Sequence, residues 1–338
     1  MKALVFQGPW EMTVEDRAPR DPSDHEVRVA VIATGICGSD IHGFAGHTGR
    51  RHPNQVMGHE TVGRIDLLGS QVSGLKVGDL VSINPAMTCG ECSNCKKNDH
   101  ELCDRLRVLG VVPEIDAAFA EFVTVPSENI IPLDPNMNPV HGALIEPLAV
   151  GYHALRRGHV SADQNVVVIG GGPIGQAVAI ACRRIGVNNV IVSEISPTRS
   201  ALLMRLGFTV VHPKDLLTEV ESTFGRKADT VIDAVGSEAT IASSHEVSKR
   251  GSTIVFLGMA EPVMSIKSYE FSVAERTLVG SFCYNKDDFS STAKWIAENP
   301  EIGDALIDQI STPEEAPGIF TALARQELDV SKVLVRFS

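Results

Sequence analysis

The chain lacks any long hydrophobic run: nothing in its 338 residues approaches the roughly 18 apolar positions that a membrane-spanning helix needs. A basic surplus is missing too. Lys and Arg number 30 against 42 Asp and Glu, a formal charge of −12, which argues against nucleic acid or an anionic membrane as the main partner. Internal repeats and low-complexity tracts are absent. At the start, Met1 to Phe6 runs straight into Gly8-Pro9, too short an apolar stretch for a signal peptide, so a cytoplasmic location is expected. The seven cysteines are an odd count, and a disulfide framework is not expected in a chain of this size without a secretory signal. What remains is an ordinary globular composition, 43% hydrophobic and 21% charged, long enough for about two domains.

Residues 1 to about 150 read as short Val/Ile-rich strands with frequent turns: Lys2–Phe6, Glu26–Thr34, Gly63–Leu68, Leu80–Ile83 and Phe119–Val125. The pattern changes near Leu148. A helix over Val150–Arg156 is followed by alternation: strand Asn165–Ile169, helix Ile174–Arg184, strand Val190–Ser193, helix Pro197–Leu206. Further short apolar runs follow at Thr209–Val211, Thr230–Asp233, Thr253–Leu257 and Thr277–Gly280. About six strands at this pace imply a doubly wound parallel sheet with helices on both faces. Helices Asp287–Glu298 and Pro313–Arg325 precede a last strand, Lys332–Phe337, which has no partner in the α/β region. It is expected to return to the first domain, making the α/β unit an insertion.

Three stretches carry chemistry. Gly35 to Glu60 holds Cys37, Ser39, Asp40, His42, His47, His52, His59 and Glu60. Singly, each reads as a buried cysteine or a surface polar residue; together they are the ligand set of a borderline-soft metal. Cys89-x2-Cys92-x2-Cys95-x7-Cys103 matches a closed, structural tetrahedral zinc site, with an iron–sulfur cluster as the other reading. Finally, Val166–Ile169 enters Gly170-Gly171-Gly172-Pro173-Ile174-Gly175. Gly170 would make the turn, Gly172 admit a pyrophosphate and Gly175 allow close packing of helix on strand. Glu194 ends the next strand, 19 residues past Gly175, where an acid hydrogen-bonds the adenosine ribose and repels a 2′-phosphate. This favours NAD over NADP, although Arg199 nearby could accommodate that phosphate.

With these motifs in place, the chain resembles the zinc-dependent medium-chain dehydrogenases, in their sorbitol/polyol dehydrogenase branch. The resemblance runs essentially end to end. It rests on Gly35-Ile36-Cys37-Gly38-Ser39-Asp40-Ile41-His42, Gly58-His59-Glu60, the cysteine lobe, Phe119-Ala120-Glu121-Phe122, Leu144-Ile145-Glu146-Pro147-Leu148, Val150-Gly151-Tyr152-His153-Ala154 and the glycine motif. It implies a GroES-like β-rich catalytic domain over 1–150 and 285–338, with a structural-zinc lobe at about 86–106, and an inserted Rossmann domain over 151–284 that binds NAD. Cys37, His59 and Glu60 then match the catalytic zinc ligands, and Glu146 a further ligand or a partner of metal-bound water. Asp40 matches an acceptor that orients His59, Ser39 and His42 a proton relay, and Phe119 and Tyr284 the substrate pocket. Gly258 and Phe282 fall on segments that meet the nicotinamide.

The implied reaction is oxidation of a secondary alcohol of a polyol to a ketose, with hydride passing to NAD. One departure stands out: Cys283 replaces the arginine that sorbitol dehydrogenases carry before the pocket tyrosine. A sugar acid, a vicinal diol or threonine is therefore the alternative substrate, and a non-catalytic NAD-binding sensor the remote one. His47 and His52 are expected at a surface or pocket rim, His153 and Cys182 in packed helices. The family also implies a homodimer or homotetramer, formed by pairing at the cofactor-domain sheet edge.

Overall fold

The computed structural model describes residues 1–113 and 115–338. The chain divides into two compact units, Met1–Glu146 with Tyr284–Ser338, and Pro147–Cys283.

The first unit is built on an antiparallel sheet. Strand Glu26–Gly35, with apolar residues on alternate positions, pairs with Glu60–Leu68, Phe122–Pro126 and the last strand, Val333–Arg336. That last strand also pairs in parallel with Gln309–Ser311, so the C-terminal end of the chain completes the sheet begun near its start. A separate three-stranded sheet, with Lys2–Gly8 at its centre, packs Leu4 and Phe6 against Phe44, Met57, Phe119, Phe320 and Val335. Burying each large side chain of this kind is worth about 1.5–3 kcal/mol.

In the second unit, six strands lie parallel in the order 209–211, 189–193, 165–169, 228–233, 248–256, 277–280. The order reverses at Asn165–Ile169, the strand from which the glycine motif leaves. Such a switch point opens a crevice at the carboxyl ends of the strands, where ligands bind in doubly wound folds. Val167, Ile169, Ile191, Val231 and Ile254 form its core with Leu216, Val220, Ile241 and Val247.

The observed elements correct several expected boundaries. Helix Ile145–Arg157 starts five residues before Val150, because Pro147 is tolerated in a first turn, and this brings Glu146 into that turn. Strand Phe122–Pro126 begins after Phe119, which makes an isolated contact instead: its N–H donates to the Met57 carbonyl and its carbonyl accepts from Leu4 N–H. Helix Glu238–Val247 was not legible at all. It has no apolar stripe, and a reciprocal Ser237/Thr240 cap holds its start. Leu334, fully buried in the closing strand, is expected to test the sheet: Leu334→Ala should cost about 2–5 kcal/mol in denaturant unfolding.

Candidate active site

Two strands of the first unit bring the Gly35–Glu60 residues together. Gly35 pairs with Glu60 across the antiparallel ladder, so residues just past one strand meet those just before the other. A ring nitrogen of His59, the Cys37 sulfur and a Glu60 carboxylate oxygen lie within 4.8 Å of one another. Glycine is required at two positions here. A Cβ at Gly35 would sit 2.1 Å from Glu60 Oε2, and Gly58, at φ +100°, would meet the Phe119 backbone nitrogen at 2.8 Å.

Asp40 reaches both donors. Cys37 caps the short helix Gly38–Phe44, and its backbone N–H donates to Asp40 Oδ2 at 3.3 Å. The other oxygen stands 3.6 Å from His59 Nδ1, an ion-pair separation that leaves this buried nitrogen without a hydrogen bond. With Nδ1 turned to Asp40, Nε2 is the ring atom available to a metal. Burial alone would disfavour a protonated His59. The negative charges of Asp40, Cys37 and Glu146 outweigh it and raise its pKa well above the ordinary value. An interior this rich in anions and soft donors is suited to a divalent cation.

Glu146 and Tyr284 also meet, the phenol donating to Glu146 Oε1 at 3.0 Å. Burial raises the Glu146 pKa, with His59 opposing and Glu60 reinforcing the shift. Glu146 lies outside the group of mutually close donors, so its expected role as a ligand is less direct than that of Glu60. Glu60 is itself engaged. Both its oxygens accept from Lys332 Nζ, at 2.8 and 2.7 Å, and the same ammonium reaches the Ile36 carbonyl at 3.3 Å. Lys332 immediately precedes the apolar strand Val333–Arg336, 272 positions away, and nothing in its local sequence announces this partner.

Ser39 and His42 stand three positions apart on the capped helix, and so share a face. Burial lowers the His42 pKa, and His47, with its ring centroid 5.9 Å from that of His42, lowers it further. His47 and His52 are exposed, while His153 and Cys182 are buried in helices, where burial pushes the Cys182 thiol up to about 12. The Phe119 ring is fully enclosed and packs 5.5 Å from that of Phe320.

The cysteine lobe gathers four sulfurs. Cys89–Cys95, Cys92–Cys95 and Cys89–Cys103 are 3.8, 3.4 and 3.6 Å apart. A tetrahedral ion with bonds of about 2.3 Å needs sulfur separations of about 3.8 Å. A multi-iron cluster would bind the cysteines to different irons and spread them further apart. Backbone N–H groups of Cys89, Cys92, Cys95 and Arg105 point at the sulfurs, each at 3.4 Å; those donating to Cys89 and Cys92 lower the pKa of these two thiols, while burial raises that of Cys95.

In the second unit Gly170 has φ +92°, and a Cβ at Gly175 would lie 1.7 Å from the Gly170 carbonyl oxygen. Gly172 caps helix Pro173–Arg184, which puts Pro173 and Ile174 in its first turn. Glu194 braces the loop from the neighbouring strand: Oε2 accepts from Gly171 N–H at 2.6 Å, and Oε1 from the N–H groups of Ile195 and Ser196. Arg199 Nη1 lies 3.8 Å from where a Gly172 Cβ would stand. Gly258 is pressed so closely on Val235 that a Cβ would come within 2.1 Å of its carbonyl carbon, and Phe282 is half exposed.

Residues 23–135 match the family profile of the alcohol dehydrogenase GroES-like domain, and residues 173–298 that of zinc-binding dehydrogenases. The chain is 32% identical over 311 residues to L-galactonate-5-dehydrogenase of Escherichia coli, covering 91% of this chain and 90% of that one. The chain belongs to the zinc-dependent medium-chain dehydrogenases. D-xylulose reductase A of Aspergillus oryzae is 30% identical over 331 residues, covering 94% and 92%. A Sinorhizobium meliloti protein described as a zinc-binding dehydrogenase, solved with NADP bound, superposes with a TM-score of 0.90 at 28% identity, covering 99% of each chain. Within this dehydrogenase, the Lys332–Glu60 pair is open to a direct test. Lys332→Met strands a buried carboxylate and should cost about 3–5 kcal/mol in denaturant unfolding. Lys332→Met/Glu60→Gln should recover most of that loss.

Proposed function

We propose that the protein oxidises a secondary alcohol of a polyol or sugar alcohol to a ketose, NAD accepting the hydride and one proton leaving to solvent. The observation that carries this reading is the Cys37, His59 and Glu60 donor set, gathered by one strand pair and oriented by Asp40. Zinc held by Cys37 and His59, with Glu60 or Glu146 as the oxygen donor, would supply the Lewis acidity that lowers the pKa of a substrate hydroxyl. Ser39 would take up the hydroxyl proton while giving its own to the cofactor ribose, and His42, its pKa lowered by burial and His47, would pass a proton on to water. Tyr284 fixes the Glu146 carboxylate through its phenol. The four lobe cysteines hold a second, structural zinc.

Glu194 supports NAD, because a carboxylate at the rim of the glycine loop repels a 2′-phosphate. Arg199 beside Gly172 and the NADP-bound Sinorhizobium relative support the other cofactor, and we give Glu194 the greater weight. A sugar-acid substrate is the second reading, favoured by the L-galactonate dehydrogenase relative.

No helix among the described residues is long and apolar enough to cross a membrane. A four-cysteine metal site in place of a disulfide framework suits the cytoplasm. Strand Thr277–Gly280 is an edge of the six-stranded sheet, and Val263, Tyr269 and Met259 are exposed in the segment before it, which supports a homodimer or homotetramer paired there.

Purified holoenzyme should reduce NAD with a panel of polyols and sugar acids, followed by nicotinamide absorbance. Cys37→Ser should abolish that turnover and leave the NAD dissociation constant unchanged; retained turnover would sink the proposal. Glu194→Ala should shift the NAD/NADP preference at least about tenfold towards NADP, the scale of one charged hydrogen bond.

A further inference from the structure

Arg51 lies in the loop between the Gly38–Phe44 helix and His59, and its side chain is 3% exposed. A guanidinium is withdrawn from water this far only where its charge and donors are met. Its Nη2 stands 3.5 Å from Asp40 Oδ1 and 3.5 Å from the Ser39 carbonyl, and its Nε donates to Met57 Sδ at 3.1 Å. All three partners lie on the segments that carry the metal donors. Ser39 and Asp40 belong to the helix capped by Cys37, and Met57 precedes His59 by two residues. The fit is sterically specific as well, since a Cβ on Gly43 would meet Arg51 Cγ at 2.7 Å.

Asp40 thus has three neighbours. One oxygen accepts from Cys37 N–H, and the other faces both His59 Nδ1 and Arg51. Asp40 is fully buried, so its rotamer is set by these partners and not by water. Only Arg51 among them brings a permanent positive charge.

We propose that Arg51 is a positioning residue of the metal site: its guanidinium fixes Asp40, and through Asp40 the orientation of Cys37 and His59. The proposal rests on the zinc reading of that site. Groups that orient metal ligands from behind are worth about 10–100-fold in metal affinity. Lysine in this position keeps the charge but loses the planar fork that spans Asp40 and the Ser39 carbonyl.

The test is zinc release from anaerobic holoenzyme into a chromogenic chelator, which separates the two ions of each chain. Arg51→Met should release one zinc about tenfold faster than wild type and the other, held by the cysteine lobe, at an unchanged rate, with kcat falling more than KM rises. Arg51→Lys should fall between wild type and Arg51→Met, and it carries the test if Arg51→Met does not fold. Asp40→Asn should show the same fast phase, and Arg51→Met/Asp40→Asn should be no faster than Asp40→Asn alone. Wild-type release from both arginine variants, an equal acceleration of both zincs, or multiplicative effects in the double variant would overturn the role of Arg51 alone. A wild-type chain that yields only one zinc would overturn the catalytic-zinc reading as well.

Discussion

Buried negative charge is the constraint around which the first unit is organised. Asp40, Glu60 and Glu146 are carboxylates withdrawn from water, and Cys37 adds a thiol beside them. Against these the fold sets two buried cations, Lys332 on Glu60 and Arg51 on Asp40. An unpaired ion in such an interior costs several kcal/mol, so each carboxylate needs a specific partner. Among the described residues Glu146 has a phenol but no ion-pair partner, and the rise in the His59 pKa expresses the same imbalance. A divalent ion at Cys37 and His59 would restore neutrality. Metal affinity and fold stability are in this sense two aspects of one electrostatic requirement.

The backbone makes this arrangement possible at a few points. Antiparallel pairing of Gly35 with Glu60 gives the donors their common origin, and the missing Cβ of Gly35 leaves space for the Glu60 carboxylate. The closing strand brings Lys332 from the far end of the chain onto the same carboxylate. In the second unit the Glu194 carboxylate plays a comparable part, holding Gly171 and the start of the next helix so that the glycine loop keeps one shape. Both sites are shaped by a carboxylate engaged on its inner side, and preorganisation of this kind lowers the entropy lost on binding.

Legibility in the sequence followed sequence distance. The cysteine lobe and the glycine loop are written in short, contiguous spacings, and a closed metal site or a strand–turn–helix imposes those spacings locally. The parallel sheet could be read from regular alternation, and the return of the last strand from its lack of a partner. Lys332 and Arg51 could not be read, because each is defined only by a carboxylate that tertiary folding brings to it. Arg51 sits in a turn-rich segment where a basic residue ordinarily points to solvent. The packing of Phe119 on Phe320 could not be read for the same reason, since the two rings are brought together only by tertiary folding. Helix Glu238–Val247, with serines and threonines where a stripe would be, depends on its cap and its tertiary neighbours.

Anomalous diffraction at the zinc absorption edge, on crystals of the protein grown without chelator, tests the account most directly. The account predicts two peaks per chain, one bonded to Cys37 and His59 and one enclosed by Cys89, Cys92, Cys95 and Cys103. A single peak in the cysteine lobe, with Cys37 and His59 bound only to each other or to water, would contradict it.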